Sequence, residues 1–236
     1  SQRTVLLVID MQNAFCHPEG TLGVSGVNVE PAQAAIPAVA ALVRSCRDAG
    51  LPVLWSRQVH FPADAGRARK RLPSHTQKRA RVSALAGTWD AQLVEELAPL
   101  ADDPALVFTK HRFGCFYETR LEAMLRMLGG EALLVCGVTA NACVETTVRE
   151  AYLRDYDVVA VTDCIAAVRP EWKPVAPPSA VVLASVPGEP SPILRAPAPS
   201  PQTRSQAPQW FGSTSVSTQT VPHSTVGGSH NGAHAY

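Results

Sequence analysis

The strongest constraint on the fold is an alternation of short, continuously apolar runs with longer stretches of helical spacing. Val5-Leu6-Leu7-Val8-Ile9, Pro52-Val53-Leu54-Trp55, Ala105-Leu106-Val107-Phe108, Ala132-Leu133-Leu134-Val135-Cys136 and Asp157-Val158-Val159-Ala160-Val161 are the runs. A strand with one wet face shows a polar residue at every second position, so uninterrupted runs of this length read as strands buried on both faces. Between the first two, Pro31 to Ala49 sets Ile36, Val39, Ala40 and Val43 on one helical face and stops at Gly50. Ala91 to Leu100 and Leu121 to Leu128 read as further helices, as does Cys143 to Tyr152. Doubly buried strands separated by helices specify an α/β fold: an open, mostly parallel sheet with helices on both faces and right-handed crossovers. Ligands of such sheets bind beyond the carboxyl ends of the strands, which directs attention to the residues just after Ile9, Trp55, Phe108 and Cys136.

Composition sets the limits of this domain. Twelve of the 20 prolines lie from Pro170 onward, where Ser, Thr, Gly and Ala replace the apolar periodicity. Residues 1–186 are therefore assigned to the folded domain. The segment 187–236 carries too little large apolar surface to offset its ordering entropy, and is expected to be a disordered tail or a Pro-rich docking segment. With 21 Lys and Arg against 20 Asp and Glu, the net charge of +1 supplies no field for gathering nucleic acid or an anionic membrane surface. No apolar run approaches the roughly 20 residues of a membrane span. The N-terminal residues lack the apolar core of a signal peptide, so a soluble, cytoplasmic protein is expected. The six cysteines (Cys16, Cys46, Cys115, Cys136, Cys143, Cys164) are spread along a chain too long for a disulfide scaffold and read as thiols; no Cys-x-x-Cys pair suggests zinc.

Three reactive groups fall at the predicted strand ends. Asp10 follows the first run directly, Lys110 comes two residues after the third, and Cys143 lies beyond the fourth at a predicted helix start. Singly, each has an ordinary reading: a turn residue, a solvated lysine, a packing thiol. Together they form a nucleophile set. A helix N-terminus and a nearby ammonium lower a thiol's pKa, and a carboxylate can carry its proton to a leaving group.

The stretches Leu6-Leu7-Val8-Ile9-Asp10-Met11-Gln12-Asn13-Ala14-Phe15, Phe108-Thr109-Lys110-His111-Arg112-Phe113-Gly114-Cys115-Phe116 and Gly137-Val138-Thr139-Ala140-Asn141-Ala142-Cys143-Val144-Glu145-Thr146-Thr147 resemble the isochorismatase-like cysteine hydrolases. That superfamily holds nicotinamidases, N-carbamoylsarcosine amidase and ureidoacrylate amidohydrolase. The likeness covers about residues 4–170, with Gly87-Thr88-Trp89-Asp90 and Tyr156 to Asp163 in support. It implies a Rossmann-like three-layer fold, Cys143 as nucleophile, Asp10 as general acid/base and Lys110 completing the triad. It further implies a cis peptide at Val138-Thr139, an oxyanion hole from the backbone N–H groups of Thr139 and Cys143, and a homo-oligomer, dimer or tetramer. The activity implied is cleavage of a C–N bond in a small amide, ureido, carbamoyl or lactam substrate through a thioester.

Departures from the family pattern refine this expectation. Nicotinamidases carry an Asp-x-His metal pair after the second strand, whereas here Gln58 stands in the carboxylate's place before His60, with His75 downstream. No metal or other cofactor is expected, and nicotinamide ranks below other amides. Eight Arg and Lys between Arg57 and Arg81, against Asp64 alone, form either a solvated loop or subunit contact, or a site that orients a carboxylate-bearing substrate. Phe15, Gln58, Trp89, Phe113 and Phe116 are candidate pocket residues. After Arg169 the family's last helix and strand give way to Pro-rich text, as a frameshifted or otherwise altered C-terminus would produce, and only Ala180 to Val186 retains strand character. The competing functions are a vinyl ether hydrolase of the isochorismatase type, a metal-dependent nicotinamidase, and a non-catalytic interaction protein using its Pro-rich tail. The intact Asp10, Lys110 and Cys143 set favours the amidohydrolase.

Overall fold

In the computed structural model the described residues are 3–62, 79–168 and 181–183, the last three as backbone only. Most of the basic loop (63–78, with His75), the break after Arg169 and the tail expected at 187–236 lie outside them. The chain runs β1 (Thr4–Ile9), α1 (Asn13–Cys16), α2 (Thr21–Val24), α3 (Glu30–Asp48), β2 (Val53–Gln58), then 3₁₀ turns at Trp89–Ala91, Ala98–Leu100 and Pro104–Leu106. It continues through β3 (Val107–Lys110), α4 (Leu121–Leu128), β4 (Ala132–Val138), a π-type turn (Ala140–Val144), α5 (Glu145–Tyr152), β5 (Asp157–Ala166) and β6 (Val181–Leu183).

The strands form one sheet in the order β3-β2-β1-β4-β5-β6, and every pairing is parallel. The chain starts mid-sheet, winds outward to β3, then returns across β1 to β4. The β1/β4 junction is thus a topological switch point, where crossovers leave to opposite sides and open a crevice at the carboxyl edge.

The unbroken apolar runs behave as their composition demands. Leu6 and Val8 enter one core cluster with Val39 and Val43 of α3, while Val5, Leu7 and Ile9 enter a second with Leu121 and Leu125 of α4 and Val148 of α5. Successive β1 residues therefore feed opposite layers, and each fully buried Val, Leu or Ile stabilises the fold by about 1.5–3 kcal/mol. Helix α3 buries Ala32, Ile36, Val39, Val43 and Cys46, a stripe at helical spacing. It ends because Gly50 takes a left-handed φ of +71°, letting Leu51 N–H bond back to the Cys46 carbonyl.

Where β4 leaves β1, backbone approaches backbone. Gly137 pairs with Ile9, has φ +114°, and a Cβ built on it would stand 2.1 Å from the Ile9 carbonyl oxygen. Only glycine fits there. The next peptide, Val138-Thr139, is cis.

Several element boundaries differ from the sequence expectation. The helix expected over Ala91 to Leu100 is replaced by 3₁₀ turns at either end, because Gln12 bridges to Leu93 and Val94 N–H bonds to the Met11 carbonyl. Its apolar spacing still serves packing, with Val94 and Leu97 buried against the core. The third strand starts at Val107 rather than Ala105 and includes Lys110, since Pro104 opens a 3₁₀ turn capped by Asp103. Cys143 lies in the π-type turn ahead of α5 rather than at the start of a regular helix. Val181–Leu183, inside the stretch marked for strand character, pairs parallel with β5. Among the described residues no helix is long and apolar enough to cross a membrane.

Candidate active site

Three strand ends converge at the switch point. Asp10 lies one residue past β1, Lys110 ends β3, and Cys143 follows β4 through the cis peptide and the π-type turn. Asp10 has φ +52°, a left-handed conformation that Asp tolerates better than most residues and that turns the chain abruptly off the strand. Neighbouring strands stand about 5 Å apart, so a side chain from β3 must pass the end of β2 to reach β1. Lysine has that reach.

The Lys110 Nζ lies 2.7 Å from Asp10 Oδ2, and its side chain is fully buried beside an Asp10 that is 1% exposed. It also donates to Gln58 Oε1 at 2.7 Å and to the Arg112 carbonyl at 2.9 Å, with the Cys143 sulfur at 3.4 Å. An ammonium has three N–H groups. Gln58 Oε1, the Arg112 carbonyl and the Cys143 sulfur accept them, and Asp10 Oδ2 faces the ammonium as an ion pair without a hydrogen bond of its own. The second Asp10 oxygen, Oδ1, accepts from the Ser56 hydroxyl at 2.7 Å.

Burial pushes the Cys143 thiol well above its ordinary pKa; Lys110 opposes this, while the charge of Asp10 reinforces it. The expectation that a helix start and a lysine would lower the thiol fails for this reason: desolvation outweighs one cation already committed to a carboxylate. The resting site holds a neutral thiol beside an ion pair. For Lys110, burial works to lower the pKa, but Asp10 and the neighbouring Cys143 and Cys115 together raise it, so the ammonium stays charged.

The other expected residues divide. Trp89 and Phe113 are 43% and 42% exposed, and Phe15 is partly buried against the core. Phe116 is buried in the α4/α5 cluster, with its ring against Tyr156 and under the Arg154 guanidinium. Gln58 is 3% exposed with both ends of its carboxamide engaged, by Lys110 and by His60 Nε2 at 3.0 Å. His60 Nδ1 meets the Ser83 carbonyl at 2.6 Å. These residues do not fit the metal pair of nicotinamidases: the carboxylate is missing, and the amide oxygen and the imidazole lone pair already serve Lys110 and Gln58. Among the described residues no group of three or more His, Cys, Asp or Glu is arranged to hold a metal ion.

Two structural contributors escaped the sequence reading. Ser56 pairs with Ile9 in the sheet, and that register alone brings its hydroxyl to Asp10. Asp90 is a buried hub, accepting from the Thr21 backbone and hydroxyl, Ala84 N–H and Arg81. Its only signal was its place in the Gly87-Thr88-Trp89-Asp90 match. Arg81, one of the cations considered for substrate binding, is thereby tied to the fold through a 3.1 Å ion pair.

The Isochorismatase domain family matches residues 4–176. The ureidoacrylate amidohydrolase RutB of Methylorubrum extorquens is 36% identical over 172 residues, covering 68% of this chain and 68% of that protein. Among solved structures, an isochorismatase family protein from Desulfovibrio vulgaris superimposes with a TM-score of 0.62 at 33% identity, over 73% of this chain and 86% of that one. N-carbamoylsarcosine amidase from Thermoplasma acidophilum gives a TM-score of 0.58 at 27% identity, over 72% of this chain and 88% of that one. With such relatives in both sequence and structure, the chain is a hydrolase acting on C–N amide bonds of small substrates, and it belongs to the isochorismatase family.

Proposed function

We propose that the chain is a metal-independent cysteine amidohydrolase for a ureido or carbamoyl acid, with Cys143 as nucleophile, Asp10 as general acid/base and Lys110 as the fixed cation between them. The observation that carries this reading is the buried contact set in which one ammonium lies 2.7 Å from a carboxylate and 3.4 Å from a thiol at the carboxyl edge of the sheet. Asp10 accepts the thiol proton as the sulfur attacks the substrate carbonyl carbon. The carbonyl electron pair moves to oxygen, which the N–H groups of Thr139 and Cys143 receive. Collapse of this adduct breaks the C–N bond while Asp10 returns the proton to the departing nitrogen, releasing ammonia or an amine and leaving a thioester. A water molecule, deprotonated by Asp10, then attacks the thioester; the acid departs and the thiol regains its proton.

The substrate class follows from the relatives named ureidoacrylate amidohydrolase and N-carbamoylsarcosine amidase, and from the cations of the 57–81 segment, whose charge suits a carboxylate. Trp89, Phe113 and Phe15 offer apolar walls for a small, flat ligand. The six unpaired thiols suit a reducing, cytoplasmic setting, and the family likeness suits a homo-oligomer.

The test is ammonia release, after exhaustive chelation, across ureidoacrylate, N-carbamoylsarcosine, nicotinamide and simple amides. Intact-mass spectrometry of the wild type, Cys143→Ala and Asp10→Asn follows the acyl adduct. General acid–base catalysis is worth about 10²–10⁴-fold, so Asp10→Asn is expected to lose turnover by that order. Turnover that disappears on chelation and returns only with a divalent metal, or an adduct on Cys143→Ala, overturns the proposal.

A further inference from the structure

The carboxamide of Gln58 is more firmly fixed than a substrate-contacting residue needs to be. Gln12 grips its backbone on both sides, its Oε1 accepting the Gln58 N–H at 2.7 Å and its Nε2 donating to the Gln58 carbonyl at 2.9 Å. At the far end of the side chain, Oε1 accepts from Lys110 and Nε2 meets His60 Nε2. The proton positions follow by elimination. A carbonyl only accepts, so the 2.6 Å contact to Ser83 puts the His60 proton on Nδ1. His60 Nε2 then carries a lone pair, and the Gln58 –NH₂ group donates to it. That in turn leaves the amide oxygen, and not the –NH₂ group, facing the ammonium.

We propose that Gln58 and His60 form a positioning relay in which a neutral His60 selects the orientation of the Gln58 carboxamide and thereby aims Lys110 at Asp10 and Cys143. With His60 unable to accept, the amide loses one of the two contacts that set its orientation, Lys110 being the other. An amide turned the other way points –NH₂ at an ammonium, two donors facing each other in a site with no exposed member to absorb the conflict. Lys110 would then be held by Asp10, the Arg112 carbonyl and the Cys143 sulfur, without its fixed amide partner. Neither relay residue touches the reacting atoms; both act through Lys110.

This inference rests on the reading of Cys143 as the nucleophile, and its test is chosen to stand apart from substrate identity. The rate of Cys143 alkylation by iodoacetamide, located by peptide mapping, reports the thiolate that Lys110 supports without any substrate. The variants are Gln58→Met, His60→Leu and His60→Gln, the last placing an amide oxygen where Nε2 accepts. Near-UV circular dichroism confirms folding, and if Gln58→Met does not fold the two His60 variants carry the comparison.

A hydrogen bond to a charged group corresponds to about ten- to hundredfold. Gln58→Met and His60→Leu are therefore expected to slow alkylation by that factor and to lower kcat similarly while KM changes little, whereas His60→Gln regains most of both. Wild-type alkylation in His60→Leu, or a His60→Gln variant as impaired as His60→Leu, overturns the relay. A wild type that turns over none of the tested amides, yet alkylates in the expected order across the variants, supports the relay and refutes the substrate assignment.

Discussion

Replacing Lys110 by Met, alone and together with Asp10→Asn, tests whether the buried ion pair holds the site together. Two unit charges 2.7 Å apart attract with a gross energy of about 6 kcal/mol at an effective dielectric constant of 20. Desolvation of both ions cancels most of this, so the intact pair contributes little net stability. Breaking it is another matter, since Lys110→Met leaves the Asp10 carboxylate buried with Ser56 as its remaining side-chain donor. The expected cost is about 3–5 kcal/mol, which for a domain of this size lowers Tm by roughly 6–20 °C. Asp10→Asn alone strands the ammonium and is expected to cost a comparable amount. The double variant removes both charges, so its loss should fall short of the sum of the single losses by about 1–3 kcal/mol. Urea unfolding of the four proteins at pH 7, followed by circular dichroism, measures the cycle. Additive losses, or a Lys110→Met variant as stable as wild type, would refute the argument that the pair's charges are uncompensated without each other.

Brief treatment with limiting iodoacetamide near neutral pH should label Cys143 first among the six thiols, because it is 8% exposed beside Lys110 while the other five are at most 1% exposed; equal labelling of Cys46 or Cys164 in peptide maps would contradict this. Gly137→Ala should destabilise by several kcal/mol or prevent folding, since its Cβ meets the Ile9 carbonyl at 2.1 Å where φ is +114°, and a melting temperature near that of wild type would show that β4 can retreat. Stability should fall as the pH rises from about 9 toward 11–12, because burial pushes Cys46 and Cys115 up to about 11 and Cys164 up to about 12 from an ordinary 9.0. Raised thiol values mean the folded state holds its protons where the unfolded state releases them, so that stability is complete below pH 9 and lost above it; a flat urea midpoint between pH 8.5 and 11 would contradict it.

The parallel sheet was legible because Val5 to Ile9 and Ala132 to Cys136 contain no polar interruption, and only a strand covered on both faces tolerates that. The three reactive groups were legible because strand ends are where such sheets place chemistry. Residues 91–100 were misread because Val94 and Leu97 satisfy helical spacing and core packing alike, while the backbone that carries them is decided by Gln12 and Met11, some eighty residues earlier. The thiol's charge state was misread for a related reason. A lysine and a turn are visible locally, whereas the burial that outweighs them belongs to the whole fold. Ser56 beside Asp10 and Gln58 beside Lys110 needed the register of β2 against β1 and β3, which no single segment encodes.

The enclosure of Asp10, Lys110 and Cys143 has a consequence for the chemistry proposed here. At rest the three groups sum to zero: one anion, one cation, one neutral thiol. After the thiol proton passes to Asp10 they still sum to zero, with the anion now on sulfur. The proton moves between two neighbours of one ammonium, so the reaction relocates a negative charge around a stationary positive one and never creates a new ion in the protein interior. A site this buried is usually hostile to ionisation. Here the step is tolerated because the ammonium is close to both the carboxylate and the sulfur.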